Sequence, residues 1–253
     1  ECHDGRLSYV GYGTEKVESE VEGHEGHLTV LRMDADTATG KQVYDRMLDS
    51  FRRGEKDVLL GTQMVTKGHD FPRVTLVGVI LADTGLYAND FRASERTFSL
   101  LTQVIGRAGR ANAPGRAVIQ TFSPANDVIR LAKAQDYVAF YESEIKLREQ
   151  LCFPPFCDLV SLTLTSRDEG RLQEAIGRCA DLAKSLAGEK YADTPLFGPL
   201  EAQVYRAAEQ YRMRLVLKCR WNARSRAFVR ELLLFASGLR GVSAAVDVNP
   251  LHA

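Results

Sequence analysis

DVLLGTQMVTKGHDFPRVTLVGVIL, residues 57–81, decides the fold. Two apolar runs, Asp57 to Leu60 and Val74 to Leu81, flank a polar loop that contains glycine. The second run is almost wholly apolar, which predicts a strand covered on both faces, as in a parallel sheet. Parallel neighbours need a crossover between them, and helical periodicity lies on either side. Upstream, Gly40 to Arg53 places Val43, Met47, Leu48 and Phe51 on one face, after a strand at Leu28 to Met33. Downstream, Ser94 reads as the cap of a helix in which Phe98, Leu101 and Ile105 recur at i, i+3 and i+7. Arg116 to Phe122 reads as a further strand. Strands alternating with helices predict an α/β domain with a parallel sheet and helices on both faces.

A long helical stretch follows, from about residue 126 to residue 150, and stops at Phe153-Pro154-Pro155-Phe156, where two prolines forbid continuation. Beyond it, Asp158 to Thr165 alternates like a half-buried strand. Residues 169–188 form a helix with Leu172, Ile176, Cys179, Ala183 and Leu186 inward. Strands around 201–208 and 211–219, a helix at about 222–239 and a strand at Ser243 to Val248 complete the series. The order β-α-β-β-α-β predicts a smaller α+β, ferredoxin-like domain. The expected division is therefore 1–125, a connector at 126–157, and 158–253.

At 253 residues, 45% hydrophobic and 26% charged, the chain has the composition of a soluble globular protein. Its formal net charge is zero, so any affinity for nucleic acid must come from local patches. No apolar run approaches the roughly 18 residues of a membrane span. The start, Glu1-Cys2-His3-Asp4, has neither the basic nor the apolar region of a signal peptide and lacks Met, so a cut in a longer protein is expected. Five scattered cysteines argue against a disulfide framework and for a reducing cytoplasm. The five histidines form no i, i+4 pair, and His69 alone falls in a chemically suggestive segment.

That chemistry begins with Gln103-Val104-Ile105-Gly106-Arg107-Ala108-Gly109-Arg110. Two arginines three apart follow a helix, with glycines keeping the backbone clear. Guanidinium groups stay charged and fork onto phosphate oxygens. A basic helix end meeting its own carbonyls is the alternative. The loop Gly61-Thr62-Gln63-Met64-Val65-Thr66-Lys67-Gly68-His69-Asp70-Phe71-Pro72 leaves the carboxyl end of a buried strand, where open α/β sheets bind ligands. Thr62 can donate to a phosphate, Gly68 permits close approach, and Asp70 offers an acceptor; a turn built of turn formers is the alternative.

Together these two segments resemble motifs V and VI of superfamily 2 helicases. With Gly11-Tyr12-Gly13-Thr14-Glu15-Lys16, Asp90-Phe91-Arg92-Ala93-Ser94-Glu95-Arg96 and Leu151 to Phe156, the chain resembles the PriA family of bacterial replication-restart helicases from about Gly11 to Asn249. The resemblance implies a RecA-like second motor lobe followed by the family's C-terminal domain. It further implies a 3′-to-5′ DNA helicase that recognises stalled forks and assembles the primosome. By the same resemblance, Arg107 and Arg110 reach ATP held on the other lobe, with Gln103 close by. Gly68 and Asp70 lie towards the nucleotide, and Thr62 and Lys67 towards the DNA backbone.

No G-x-x-x-x-G-K-[ST] segment cradles phosphates or Mg²⁺, and no DEAH-like box is present, so the chain alone is expected to be inactive as an ATPase. ATP, Mg²⁺ and a structural zinc belong to the intact enzyme. Cys2 falls where the last cysteine of the family's zinc cluster would lie, and one ligand of the four required predicts no zinc in this chain. From Tyr205 to Arg230 run eight basic residues, among them Arg224 and Arg226, interleaved with Tyr205, Tyr211 and Trp221. Such a stretch can track a phosphate backbone, or can be solvated surface. The resemblance implies forked and single-stranded DNA, the acidic tail of single-stranded-DNA-binding protein and other primosome proteins as partners, at cytoplasmic replication forks. A non-enzymatic adaptor and another superfamily 2 translocase are the competing readings.

Overall fold

The computed structural model describes residues 13–24, 26–34, 41–62, 71, 73–88, 90–106, 115–189, 191 and 195–250. The chain divides into two compact units, residues 1–82 with 97–135, and residues 83–96 with 136–253.

In the first unit, β1 (Val30–Met33) pairs in parallel with β2 (Val58–Gly61), joined by the crossover helix α2 (Lys41–Arg53). Asp57 sets their register: its Oδ2 accepts the Thr29 backbone N–H at 2.8 Å and the Thr29 hydroxyl at 2.7 Å. These bonds, the hydroxyl's first, hold the Asp57 carboxyl below its usual range. In α2, Leu48 is buried and Met47 and Phe51 are half-buried, whereas Val43, expected on the same face, is 42% exposed. A helix not anticipated from sequence, α1 (Thr14–Glu22), precedes them.

β3 (Leu76–Val79) pairs in parallel with β4 (Arg116–Ile119). Between them in sequence lie α3 (Asp83–Leu86) and α4 (Ala93–Ile105). The expectation of a strand covered on both faces fails for β3. Leu76 is 61% exposed, Gly78 and Ile80 are also exposed, and Val118 beside Gly78 matches them. Side chains alternate across a strand, and among the described residues only one side is covered. α4 begins one residue before Ser94. The turn that leads into it is held by Asp90, whose Oδ1 accepts the Arg92 N–H at 2.9 Å. Phe98, Leu101 and Val104 bury the inner face of α4.

The stretch expected as one helix is two, α5 (Asp127–Ala134) and α6 (Tyr137–Gln150). Gln135 ends α5 in the left-handed region, and Asp136 starts α6 by accepting the Ala139 N–H at 3.0 Å. A left-handed residue reverses the chain's winding, and an aspartate cap satisfies an orphan donor, so the ladder is interrupted there.

The second unit carries an antiparallel sheet of order β6-β7-β5-β8. Its strands are β5 (Asp158–Ser166), β6 (Leu196–Ala207), β7 (Gln210–Cys219) and β8 (Ser243–Val248), linked by α7 (Glu169–Glu189) and α8 (Ala223–Ser237). This is the ferredoxin-like arrangement. Val160, Leu162 and Leu164 of β5 and Leu215 and Leu217 of β7 face one side, where Leu172, Ile176, Cys179 and Ala183 of α7 and Phe228 and Leu232 of α8 close the core. β5 is central, so its first half is buried on both sides rather than half-buried. β6 begins several residues earlier than expected. Gly198 lets it do so: at φ +111°, any Cβ there would lie 2.9 Å from the Arg214 carbonyl oxygen.

Candidate functional site

Every strand end matters in a parallel sheet, because carboxyl ends converge on one edge. One residue past the last registered pair, Met33 with Gly61, stand Asp34 and Thr62. Thr62 is exposed at the end of β2, while Asp34 is buried and accepts the Thr14 hydroxyl at 2.7 Å. Arg32 lies among three carboxylates, 3.3 Å from Glu15, 3.4 Å from Glu18 and 3.3 Å from Asp34. Partial burial opposes its charge, but the Glu15 hydrogen bond and the three acidic fields prevail and raise its pKa. Thus Thr14 and Glu15, at the amino end of α1, are clamped beside the edge from which the 61–72 loop departs. Sequence reasoning quoted these residues without assigning them this role. The signal was there: alternation places Arg32 and Asp34 on the same side of β1 and its extension.

Gln103 is exposed in the last turn of α4, where Gly106 N–H bonds the Thr102 carbonyl at 3.0 Å. Buried Leu101 and Val104 anchor that turn. In sequence, Arg107 and Arg110 follow this turn. Those two arginines, with Lys67, Gly68, Asp70 and Cys2, lie outside the described residues.

In the second unit the eight basic residues do not form one patch. Arg224 and Arg226 are exposed in the first turns of α8. Two apart on a helix, they point to different sides, whereas Arg226 and Arg230 share one. Asn222 caps this helix with a capping box completed by Ser225. Arg212, Arg214 and Lys218 stand on the face of the sheet away from α7 and α8, because β7 alternates them with Met213, Leu215 and Leu217 of the core side. The interleaved aromatics are committed elsewhere. Trp221 and Tyr211 pack on the core, and the Tyr205 hydroxyl donates to Glu169 at 2.6 Å.

Two segments quoted for their resemblance meet within this unit. Phe91 stacks on Phe153 with centroids 5.2 Å apart, and the Arg92 and Arg148 guanidiniums lie 4.9 and 5.2 Å from the Phe91 centroid. Arg148 also bonds Glu95 at 2.6 Å and Glu144 at 2.8 Å, and Arg92 Nη2 donates to the Pro250 carbonyl at 2.7 Å. Lys218 Nζ sits 3.6 Å from the Phe153 centroid and donates to the Leu151 carbonyl at 2.7 Å. This cluster ties residues 90–96 to the proline turn and the sheet.

Cys157 and Cys179 are buried. Burial, then the field of Cys152, pushes Cys157 up to about 12, and burial pushes Cys179 to about 11. Among the described residues no group of three or more His, Cys, Asp or Glu side chains is placed to hold a metal ion, and no helix is long and apolar enough to cross a membrane.

A family model described as helicase conserved C-terminal domain matches residues 5–112, and one described as primosomal protein N C-terminal domain matches residues 149–251. The replication restart protein PriA of Bacillus subtilis is 37% identical over 253 residues, covering 99% of this chain and 31% of that protein. Its counterpart in Synechocystis is 39% identical over 218 residues, 86% of this chain and 26% of that protein. That of Treponema pallidum is 36% identical over 251 residues, 99% of this chain and 38% of that protein. The chain thus spans between 26% and 38% of the length of these relatives.

Proposed function

Because the chain belongs to the PriA family of replication restart proteins, whose C-terminal domain it carries, we propose that it forms the C-terminal part of an ATP-dependent 3′-to-5′ DNA helicase. In this reading the protein acts at stalled forks and supports primosome assembly. The observation that supports it most is the anchored end of α4, which exposes Gln103 and leads straight into Arg107 and Arg110. These two guanidiniums would stabilise charge on the γ-phosphate of an ATP cradled by another lobe, a contribution of about 10³ to 10⁵ in rate for an arginine finger. Gly68 and Asp70 would couple that nucleotide to DNA, with Thr62 and Lys67 on the DNA side.

ATP and Mg²⁺ need a phosphate cradle and an acidic box that this sequence does not contain, so this chain supplies one side of the site only. Structural zinc requires four ligands, and Cys2 alone does not fit that set. The C-terminal unit would contact DNA or the acidic tail of single-stranded-DNA-binding protein through α8. Charge reversal of both Arg224 and Arg226 should weaken binding of single-stranded DNA or of that tail in a salt-dependent way, read by fluorescence anisotropy. Unchanged affinity at low salt would make α8 mere surface. The reading as a whole is tested by unwinding of forked DNA with the full-length protein. ATP-dependent opening with 3′-to-5′ polarity is the expected result, and DNA binding without unwinding would identify an adaptor instead.

A further inference from the structure

The face of the C-terminal sheet away from α7 and α8 holds a charge with no counter-ion among the described residues. Along β7 that face carries Arg212, Arg214, Val216 and Lys218. Opposite them on β5 stand Thr165, Thr163, Ser161 and Leu159, and Leu200 of β6 flanks Arg214 on its other side. Ser243 and Ala245 of β8 continue the rows of Thr165 and Thr163. Lys218 is engaged with Phe153 and the Leu151 carbonyl. Arg214 is different. It is only 6% exposed, its Nε is sealed from solvent without an acceptor, and it makes no ion pair among the described residues. Glu201 of β6 stands opposite Met213 of the core side, and the acid of this face, Asp247 of β8, pairs with Ser161, two strands and two residues from Arg214, about 12 Å away at ordinary strand spacing.

A buried lysine could shed its proton, but a guanidinium cannot. A permanently charged, desolvated group without a counter-charge is strongly unfavourable, and a sealed partnerless nitrogen calls for an explanation. The surrounding groups are hydroxyls and a second arginine, donors suited to an anion with several oxygens. Ser161 and Thr163 hydroxyls lie 3.5 Å apart. Arg212 and Arg214, two residues apart on one strand, are about 7 Å apart, a separation comparable to that of neighbouring phosphates on an extended strand. Phe197 of β6, opposite Val216, is an exposed aromatic side chain on this face, with Lys218 Nζ 4.9 Å from its centroid.

We propose that the face of the C-terminal sheet away from α7 and α8, centred on Arg214 with Arg212, Thr163 and Ser161 beside it, is a phosphate site for a single nucleic-acid strand. It is distinct from the arginines of α8. The inference rests on the DNA-binding reading above and adds a second face to it.

The test uses the whole chain, a labelled oligothymidylate and anisotropy across a salt series. In Arg214→Met, affinity should fall about tenfold, and the magnitude of the salt slope should shrink by about 0.7, the value of one single-strand phosphate contact. The melting temperature should stay level or rise, because an unpaired buried charge is removed. A merely structural arginine would lower it. Thr163→Glu sets a carboxylate opposite Arg214, and should raise the melting temperature while weakening DNA binding. Unchanged affinity and slope in both variants, with the parent binding DNA, overturns this site and leaves the α8 reading standing. A parent chain that does not bind the oligonucleotide at low salt overturns both. Loss of binding to an acidic peptide, with DNA affinity retained, would assign the face to a protein partner and refute the phosphate site.

Discussion

Asp158 shows how one side chain can join three parts of a fold. Its Oδ2 accepts the Trp221 backbone N–H and its Oδ1 the Asn249 side-chain amide, both at 2.8 Å, so β5, the entry to α8 and the end of β8 share an anchor. The Asn249 bond, followed by that of Trp221, holds the carboxyl below its usual range. A depressed carboxylate stabilises fully above its unfolded pKa of about 3.9, and that contribution is lost as pH falls through the folded value. Asp158→Asn should therefore cost about 1 kcal/mol at neutral pH, once solvent screening is allowed for. In pH-dependent thermal unfolding the gap between parent and variant should close below about pH 4. A gap that is constant down to low pH would assign the effect to packing. Nothing in the local sequence foretold this anchor, because its partners lie 63 and 91 residues away.

At the scale of elements, what could be read depended on whether an apolar stripe or a distant polar contact holds the element. α7 was legible to the residue, since Leu172, Ile176, Cys179, Ala183 and Leu186 all turn inward. α1 was not, because TEKVESEVE buries no side chain and is tied down by Arg32 and Asp34, which the local pattern cannot show. The break between α5 and α6 was written as Asp136, but good helix formers on both sides, Leu131 to Ala134 and Glu142 to Gln150, hid it. That cap matters more than usual, as α6 buries only Phe140. Asp136→Ala should remove about 1 kcal/mol and reduce helical ellipticity, measured by circular dichroism during urea unfolding. Unaltered stability would mean that α6 is held by its neighbours and not by its start. For the candidate site, the place of Gln103 near the end of α4 could be read directly, whereas the division of the basic stretch between two faces could not. Alternation on β7 and the turn into α8 decide that, and both depend on where strands end.

On the scale of the whole molecule, two units of different architecture are assembled from one chain, and residues 83–96 join the second although they lie between β3 and β4 in sequence. Arg92, Phe91 and Glu95 explain the assignment through their bonds and stacking with Pro250, Phe153 and Arg148. In the proposed function, Arg107 and Arg110 of the first unit act on a phosphate and cations of the second unit on DNA. The central claim concerns the first of these. The measurement that bears on it most directly is DNA-stimulated ATP hydrolysis by the full-length protein carrying Arg107→Ala or Arg110→Ala, with DNA affinity determined on the same samples. Hydrolysis should fall by about 10³ or more, while DNA affinity stays at the parent value. Near-parental hydrolysis, or equal loss of hydrolysis and DNA binding, would contradict it.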